Sequence, residues 1–135
     1  MKALYILFFV FALISFSGCT AVQKGGESGE KKEPYIVYTA PANGQTKVLR
    51  TGNFFVEVQF SKEMDPMTKG FFVMAVKGKR VDGTLYWING RTLQFRPDSV
   101  LEPNTIYECR LTDGYSMYRE KLRERPYIWS FTTGP

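Results

Sequence analysis

The sequence has 135 residues, 44% of them apolar and 16% aromatic, with a formal charge of +5. That length and composition suit one small core, and the charge is too modest, with no dense Lys/Arg run or helix-turn-helix spacing, to point to nucleic acid. Histidine is absent altogether, which removes the commonest general base and metal ligand, and two cysteines do not make a disulfide framework.

Lys2 gives the chain a positive start, and residues 3–16 form an almost unbroken apolar run. A run of roughly 7–15 apolar residues after a positive charge is the pattern of an export signal, whereas a membrane span needs about 20. Ser17 and Gly18 then place two small residues directly ahead of Cys19, as a peptidase cleft that threads extended backbone requires. The run Ile14-Ser15-Phe16-Ser17-Gly18-Cys19 resembles the lipobox of bacterial lipoproteins, with Phe16 standing where Leu, Val or Ile is usual. The resemblance implies a signal peptide over residues 1–18 and a Cys19 thiol alkylated by diacylglycerol, the mature chain then being held in the bilayer by acyl chains such as palmitate. Two or more chains, each burying CH₂ groups at about 0.8 kcal/mol apiece, anchor firmly where one is marginal. Thr20 follows the cysteine where Asp would be the retention signal, so in a two-membrane bacterium the expectation is the outer membrane. The competing reading is an ordinary secretory signal cut after Ala21, which would discard Cys19.

Residues 19–33 read as a tether. Gly25, Gly26, Ser28 and Gly29 alternate with Lys24, Lys31 and Lys32 and with Glu27, Glu30 and Glu33, a composition that buries too little apolar surface to offset the entropy of ordering. As coil it would reach roughly 20 Å.

From Pro34 the hydrophobic period is two. A short strand is predicted over 35–39. Phe54, Val56, Val58 and Phe60 alternate with Phe55, Glu57 and Gln59, describing a half-buried strand. The run 71–76 is apolar on both faces, so its register stays open, and a strand over 81–88 is expected to bulge at Gly83. Leu93 and Phe95, then Tyr107, Cys109 and Leu111, then Tyr127, Trp129 and Phe131 each alternate with more polar neighbours. Turn residues separate the runs at Ala42-Asn43-Gly44, Asp65-Pro66, Lys77-Gly78-Lys79, Asn89-Gly90 and Pro97-Asp98, and Asn89-Gly90 between two strand-like runs is a strong hairpin signal. Seven short strands in about 100 residues, without a long helix, predict an all-β chain, a sandwich first and a small barrel second. Cys109 is expected to point inward as a small apolar group, a reactive thiol being the alternative. Tyr107 follows the Leu101-Glu102-Pro103-Asn104 turn at the head of the sixth strand, where sandwich domains place a tyrosine corner whose hydroxyl returns to backbone a few residues upstream.

Five segments then stand in order: Ala40-Pro41-Ala42-Asn43-Gly44, Phe60-Ser61-Lys62-Glu63-Met64-Asp65, Thr92-Leu93-Gln94-Phe95-Arg96-Pro97, Leu101-Glu102-Pro103-Asn104-Thr105-Ile106-Tyr107, and Trp129-Ser130-Phe131-Thr132-Thr133-Gly134. The series is similar to the bacterial Ig-like domain of the SbsA type, known from S-layer and other surface proteins. The resemblance covers residues 34–134. It implies that 34–135 is a seven-stranded Ig-like, fibronectin-III-like antiparallel β-sandwich used as a structural or adhesive module outside the cell, with no shared catalytic residues. Relatives commonly carry Asp-x-x-Gly-Asn between the last two strands, where this chain has Asp113-Gly114-Tyr115-Ser116-Met117-Tyr118 and a charged run to Arg125.

No catalytic set is nominated: serines lack Gly-x-Ser-x-Gly spacing and the glycines form no phosphate-cradling loop. Glu63 and Asp65, two apart at a turn, read as a solvated turn before they read as calcium ligands. No metal, cofactor or enzymatic activity is therefore expected. The candidate for function is the connection 113–126, which is long for a hairpin. It offers Tyr115, Tyr118, Arg119, Lys121, Arg123 and Arg125, the residue types enriched at interface hot spots; a solvated excursion whose tyrosines fold back on the sandwich edge is the alternative. Expected partners are the bilayer through acylated Cys19 and an envelope protein, or an envelope glycan stacked on the tyrosines of that loop.

Overall fold

The computed structural model describes residues 33–135. The signal peptide, Cys19 and nearly all of the tether fall on residues 1–32, outside the described residues. The alternating runs become two four-stranded antiparallel sheets. In chain order the strands are β1 (Ile36–Ala40), β2 (Val56–Phe60), β3 (Phe72–Val76), β4 (Lys79–Arg80), β5 (Gly83–Asn89), β6 (Thr92–Pro97), β7 (Ile106–Leu111) and β8 (Tyr127–Thr132). The first sheet runs β1-β2-β6-β5 and the second β4-β3-β7-β8, the layout of an Ig-like sandwich.

The core follows from the period. Val56, Val58 and Phe60 from β2 and Leu93 and Phe95 from β6 meet Phe72 and Met74 of β3, Cys109 and Leu111 of β7, and Trp129 and Phe131 of β8, all buried. Phe72 joins the sheets, its ring lying 5.1 Å from Phe95 of β6, and within its own sheet it lies 6.1 Å from Trp129 between centroids, separations at which tilted ring pairs attract. The Tyr107 hydroxyl accepts the Glu102 backbone N–H at 2.8 Å, and its ring stacks on Phe131 at 5.7 Å and 16°.

Several details depart from the sequence reading. Among the described residues there are eight strands: where a turn is expected at Lys77-Gly78-Lys79, the chain makes a tight hairpin and Lys79 and Arg80 pair with Val76 and Ala75. Lys77 and Gly78 take φ of 48° and 75°, the left-handed pair that matches strand twist in a two-residue loop. Gly83 is not a bulge. It opens β5 opposite Pro97, and the register slips between Trp87 and Asn89 instead. A Cβ at Gly83 would lie 2.4 Å from both the Arg96 carbonyl oxygen and the Phe95 ring, so glycine is there for close approach. The ambiguous run 71–76 resolves with Phe72 and Met74 inward. The Asp65-Pro66 turn opens a 3₁₀ helix, Pro66–Phe71, capped by the Asp65 carboxylate accepting the Met67 N–H at 2.9 Å.

β1 and β8 both start at the end of the sandwich where β2 and β7 finish. That near end also carries the 3₁₀ helix and residues 113–126; the 77–78 turn and residues 98–105 lie at the far end. Residues 44–48 run parallel to β8 along its outer edge. Gly44 N–H donates to Ser130 O at 2.7 Å, Thr132 N–H to Gln45 O at 2.8 Å, Val48 N–H to Thr132 O at 3.1 Å and Gly134 N–H to Val48 O at 2.9 Å. Covering that edge removes a template for unwanted pairing.

Candidate functional site

Residues 113–126 link β7 to β8 under the near end, and they form a small hairpin rather than a loose excursion. Tyr115 bridges Lys121, the Leu122 N–H donates to the Gly114 carbonyl at 2.8 Å, and the Ser116 N–H donates to the Glu120 carbonyl at 2.9 Å. The turn closes with the Arg119 N–H on the Ser116 carbonyl at 2.9 Å, Arg119 taking a positive φ of 66°.

This hairpin is pinned to the sandwich by buried groups. The Thr68 hydroxyl donates to the Tyr115 carbonyl and accepts its N–H, both at 3.1 Å, while the Asp65 N–H reaches the same carbonyl at 2.8 Å. The Met117 N–H donates to the Glu63 carbonyl at 3.0 Å. Leu122 and Ser116 are buried, and the Glu120 carboxylate takes Lys62 at 2.8 Å and the Ser116 hydroxyl at 2.9 Å.

The six residues singled out from sequence divide between fastening and display. Tyr115 folds back: its ring lies 6.1 Å from Phe71, and its hydroxyl donates to Asp113 at 3.1 Å. That hydrogen bond to a carboxylate raises the phenol pKa above the ordinary tyrosine value. Arg123 turns toward the start of β1, stacking over Tyr35 at 4.9 Å while its N–H donates to the Pro34 carbonyl at 2.9 Å. Arg125 donates to the Leu122 carbonyl at 2.8 Å. Tyr118, 84% exposed, stands at the tip, with Arg119 and Lys121 exposed on the same hairpin. The fastening residues Thr68, Ser116 and Leu122 were not singled out from sequence; the one signal was Leu122, a lone apolar residue in a charged run.

A second arrangement, on the outer face of the first sheet, was also missed. One side chain from each strand joins a hydrogen-bonded ladder. Tyr38 of β1 donates to Glu57 of β2, Gln94 of β6 donates to the same carboxylate at 2.7 Å, and Tyr86 of β5 donates to Gln94 at 2.9 Å. Arg96 sits 5.4 Å over the Tyr86 ring. The hydrogen bond to Glu57 raises the Tyr38 pKa. Glu63 is exposed and Asp65 is occupied as a helix cap; among the described residues no three of His, Cys, Asp and Glu converge as metal ligands.

Residues 30–133 match the bacterial Ig-like domain family. The chain belongs to that family. Solved structures similar to this Ig-like protein include the N-terminal part of the bacterial S-layer protein SbsC, at 13% identity and a TM-score of 0.54, covering 76% of this chain and 24% of that one. CopC from Methylosinus trichosporium OB3b matches at 16% identity and TM-score 0.59, covering 76% of this chain and 95% of CopC. An L,D-transpeptidase from Mycobacterium smegmatis matches at 15% and 0.54, covering 75% and 40%. At these identities the likeness is one of fold, and the chain spans about a quarter of the SbsC fragment. No curated protein matches the sequence.

Proposed function

We propose that this Ig-like domain, of the SbsA type, is held at the bacterial cell envelope by a lipidated Cys19 and works by contact, as a structural or adhesive protein-interaction module without catalysis. The observation that carries the reading is the family match over residues 30–133, which begins a short tether after the lipobox-like run ending at Cys19. An S-layer protein among the similar structures supports a structural role at the envelope, and Thr20 after the cysteine supports the outer membrane where there are two. The contact surface is the near-end hairpin, a pinned scaffold that displays Tyr118, Arg119 and Lys121.

Two experiments test this. Cys19→Ser should abolish incorporation of a palmitate analogue that the wild-type chain takes up; a wild-type chain that takes up none, or a Cys19→Ser chain labelled as strongly, overturns the anchor. Crosslinking in native cells should then compare wild type with Tyr118→Ala/Arg119→Ala/Lys121→Ala, which leaves Leu122 and Ser116 in place. Partners lost only in the variant support the hairpin as the contact surface, and a wild type that captures none overturns the module.

A second reading, envelope glycan binding, is favoured by the outer-face ladder, where Tyr38 and Tyr86 flank Glu57 and Gln94. Aromatic faces beside carboxylate and amide groups suit sugar rings and their hydroxyls. Retention on cell-wall polysaccharide should fall with Tyr38→Ala/Tyr86→Ala if the ladder binds, and with Tyr118→Ala/Arg123→Ala if the hairpin does. Retention unchanged by both removes the reading.

A further inference from the structure

The near end of the sandwich is where the chain enters β1 from the tether, and the hairpin clasps that entry point. Arg123 N–H holds the Pro34 carbonyl at 2.9 Å and its guanidinium covers Tyr35. The charged hairpin and the entry point at Pro34 therefore share one end of the domain, joined by that backbone hydrogen bond and the Arg123–Tyr35 stack. Exposed at that end are Tyr118 at 84%, Met67 at 79% and Met117 at 55%. Around them Arg119, Lys121, Arg123 and Arg125 are exposed. Of the two carboxylates in residues 117–125, Glu120 is taken up by Lys62 and Ser116, which leaves Glu124 as the exposed one. Elsewhere at that end the cations Lys69 and Arg91 are offset by the carboxylates Glu63, Asp65 and Asp113.

We propose that residues 117–125, with Met67 beside them, seat the domain on the anionic head groups of the bilayer that holds its own anchor. The inference rests on the lipid-anchored reading and gives the hairpin tip the bilayer, in place of a protein partner, as its contact. Its occupant follows from where the tether enters and from charge: cations are drawn to the negative surface potential of anionic lipid within about a Debye length, and tyrosine, with an apolar body and polar tip, suits the head-group layer. A tether of some fifteen residues turns docking into an intramolecular event at an effective concentration on the order of millimolar, so contacts too weak to recruit a free protein suffice to orient an anchored one. The pinned turn arrives already shaped, and little is lost in ordering it.

The test uses the full mature chain as purified from the native envelope, mixed into vesicles of phosphatidylcholine alone or with phosphatidylglycerol added. An environment-sensitive fluorophore is attached through Tyr118→Cys, or through Val100→Cys at the far end as control, Cys109 being fully buried and so closed to the reagent. In phosphatidylglycerol vesicles emission from position 118 should rise several-fold and shift to the blue, reverting at high salt, while position 100 stays silent. Arg119→Glu/Lys121→Glu should abolish the response while the protein still floats with the vesicles. A floating chain with a silent label at 118, or with equal responses at both positions, overturns the docking. A chain that fails to float with phosphatidylcholine vesicles overturns the anchored reading and the docking with it.

Discussion

Tyr107 serves two purposes at one position. Its ring is stacked in the core on Phe131, and its hydroxyl holds the Glu102 N–H where the chain turns from one sheet to the other. Tyr107→Phe keeps the stack and orphans that N–H, so stability in urea should fall by about 1 kcal/mol with the fold unchanged. Truncation to alanine would add roughly 3 kcal/mol for the lost ring. Cys109, on the same strand, behaves as the alternation of Tyr107, Cys109 and Leu111 suggests, fully buried between Met74 and Trp129 in the register of β3 and β8. Burial pushes its thiol pKa well up. In native protein at pH 8 it should resist a thiol reagent that labels it completely in urea; fast labelling of the native state would place it outside the core.

At the scale of elements, the hairpin 113–126 divides into anchor and display. Leu122 is 1% exposed, so Leu122→Ala should cost about 2–4 kcal/mol, whereas Tyr118→Ala should stay within about 0.5 kcal/mol. Equal effects in thermal melts would mean the hairpin is not docked as described. Gly83→Ala places a methyl group against the Arg96 carbonyl and Phe95; overpacking of that kind costs about 1–3 kcal/mol, read as a lower melting temperature with retained β-sheet signal.

The strands were legible because their inner residues obey a strict period of two. Val56, Val58 and Phe60, and later Trp129 and Phe131, needed no knowledge of their neighbours. What stayed hidden depends on pairing across the chain. Thr92 and Gln94 hold the polar positions of the β6 alternation, yet both are buried, Gln94 lying between Tyr86 and Glu57. Nothing local to β6 reveals that β2 and β5 flank it. For the same reason the sequence displayed the hairpin's tyrosines and arginines but not their division of labour, since Thr68 and Tyr115 meet across 47 positions.

For the molecule as a whole, the groups with raised pKa act in one direction. Cys109 is raised by burial, Tyr38 by its hydrogen bond to Glu57 and Tyr115 by its hydrogen bond to Asp113. Each keeps its proton to higher pH in the native state than in the unfolded chain. Above the ordinary thiol value of about 8.5 the unfolded chain therefore binds fewer protons than the folded one, and stability falls as pH rises. Below that value their contribution is fully present. Urea midpoints should hold steady from pH 7 to about 8 and then decline, with a limiting slope near 1.4 kcal/mol per pH unit from Cys109. Cys109→Ala should flatten most of the decline between about pH 8.5 and 10, below the ordinary tyrosine value; a slope unchanged in that variant would remove the thiol as its source.

The pairing of residues 44–48 with β8 has a mechanical consequence. The chain enters at Pro34 at the near end and reaches Gly134 at the far end, and these two segments lie parallel. Tension between Pro34 and Gly134 draws them in opposite directions along their length, so the bonds from Gly44 to Ser130, Gln45 to Thr132 and Val48 to Thr132 and Gly134 are strained together instead of opening one after another. A domain tethered at one end and gripped at the other would resist pulling as a sheared strip, not as a zip.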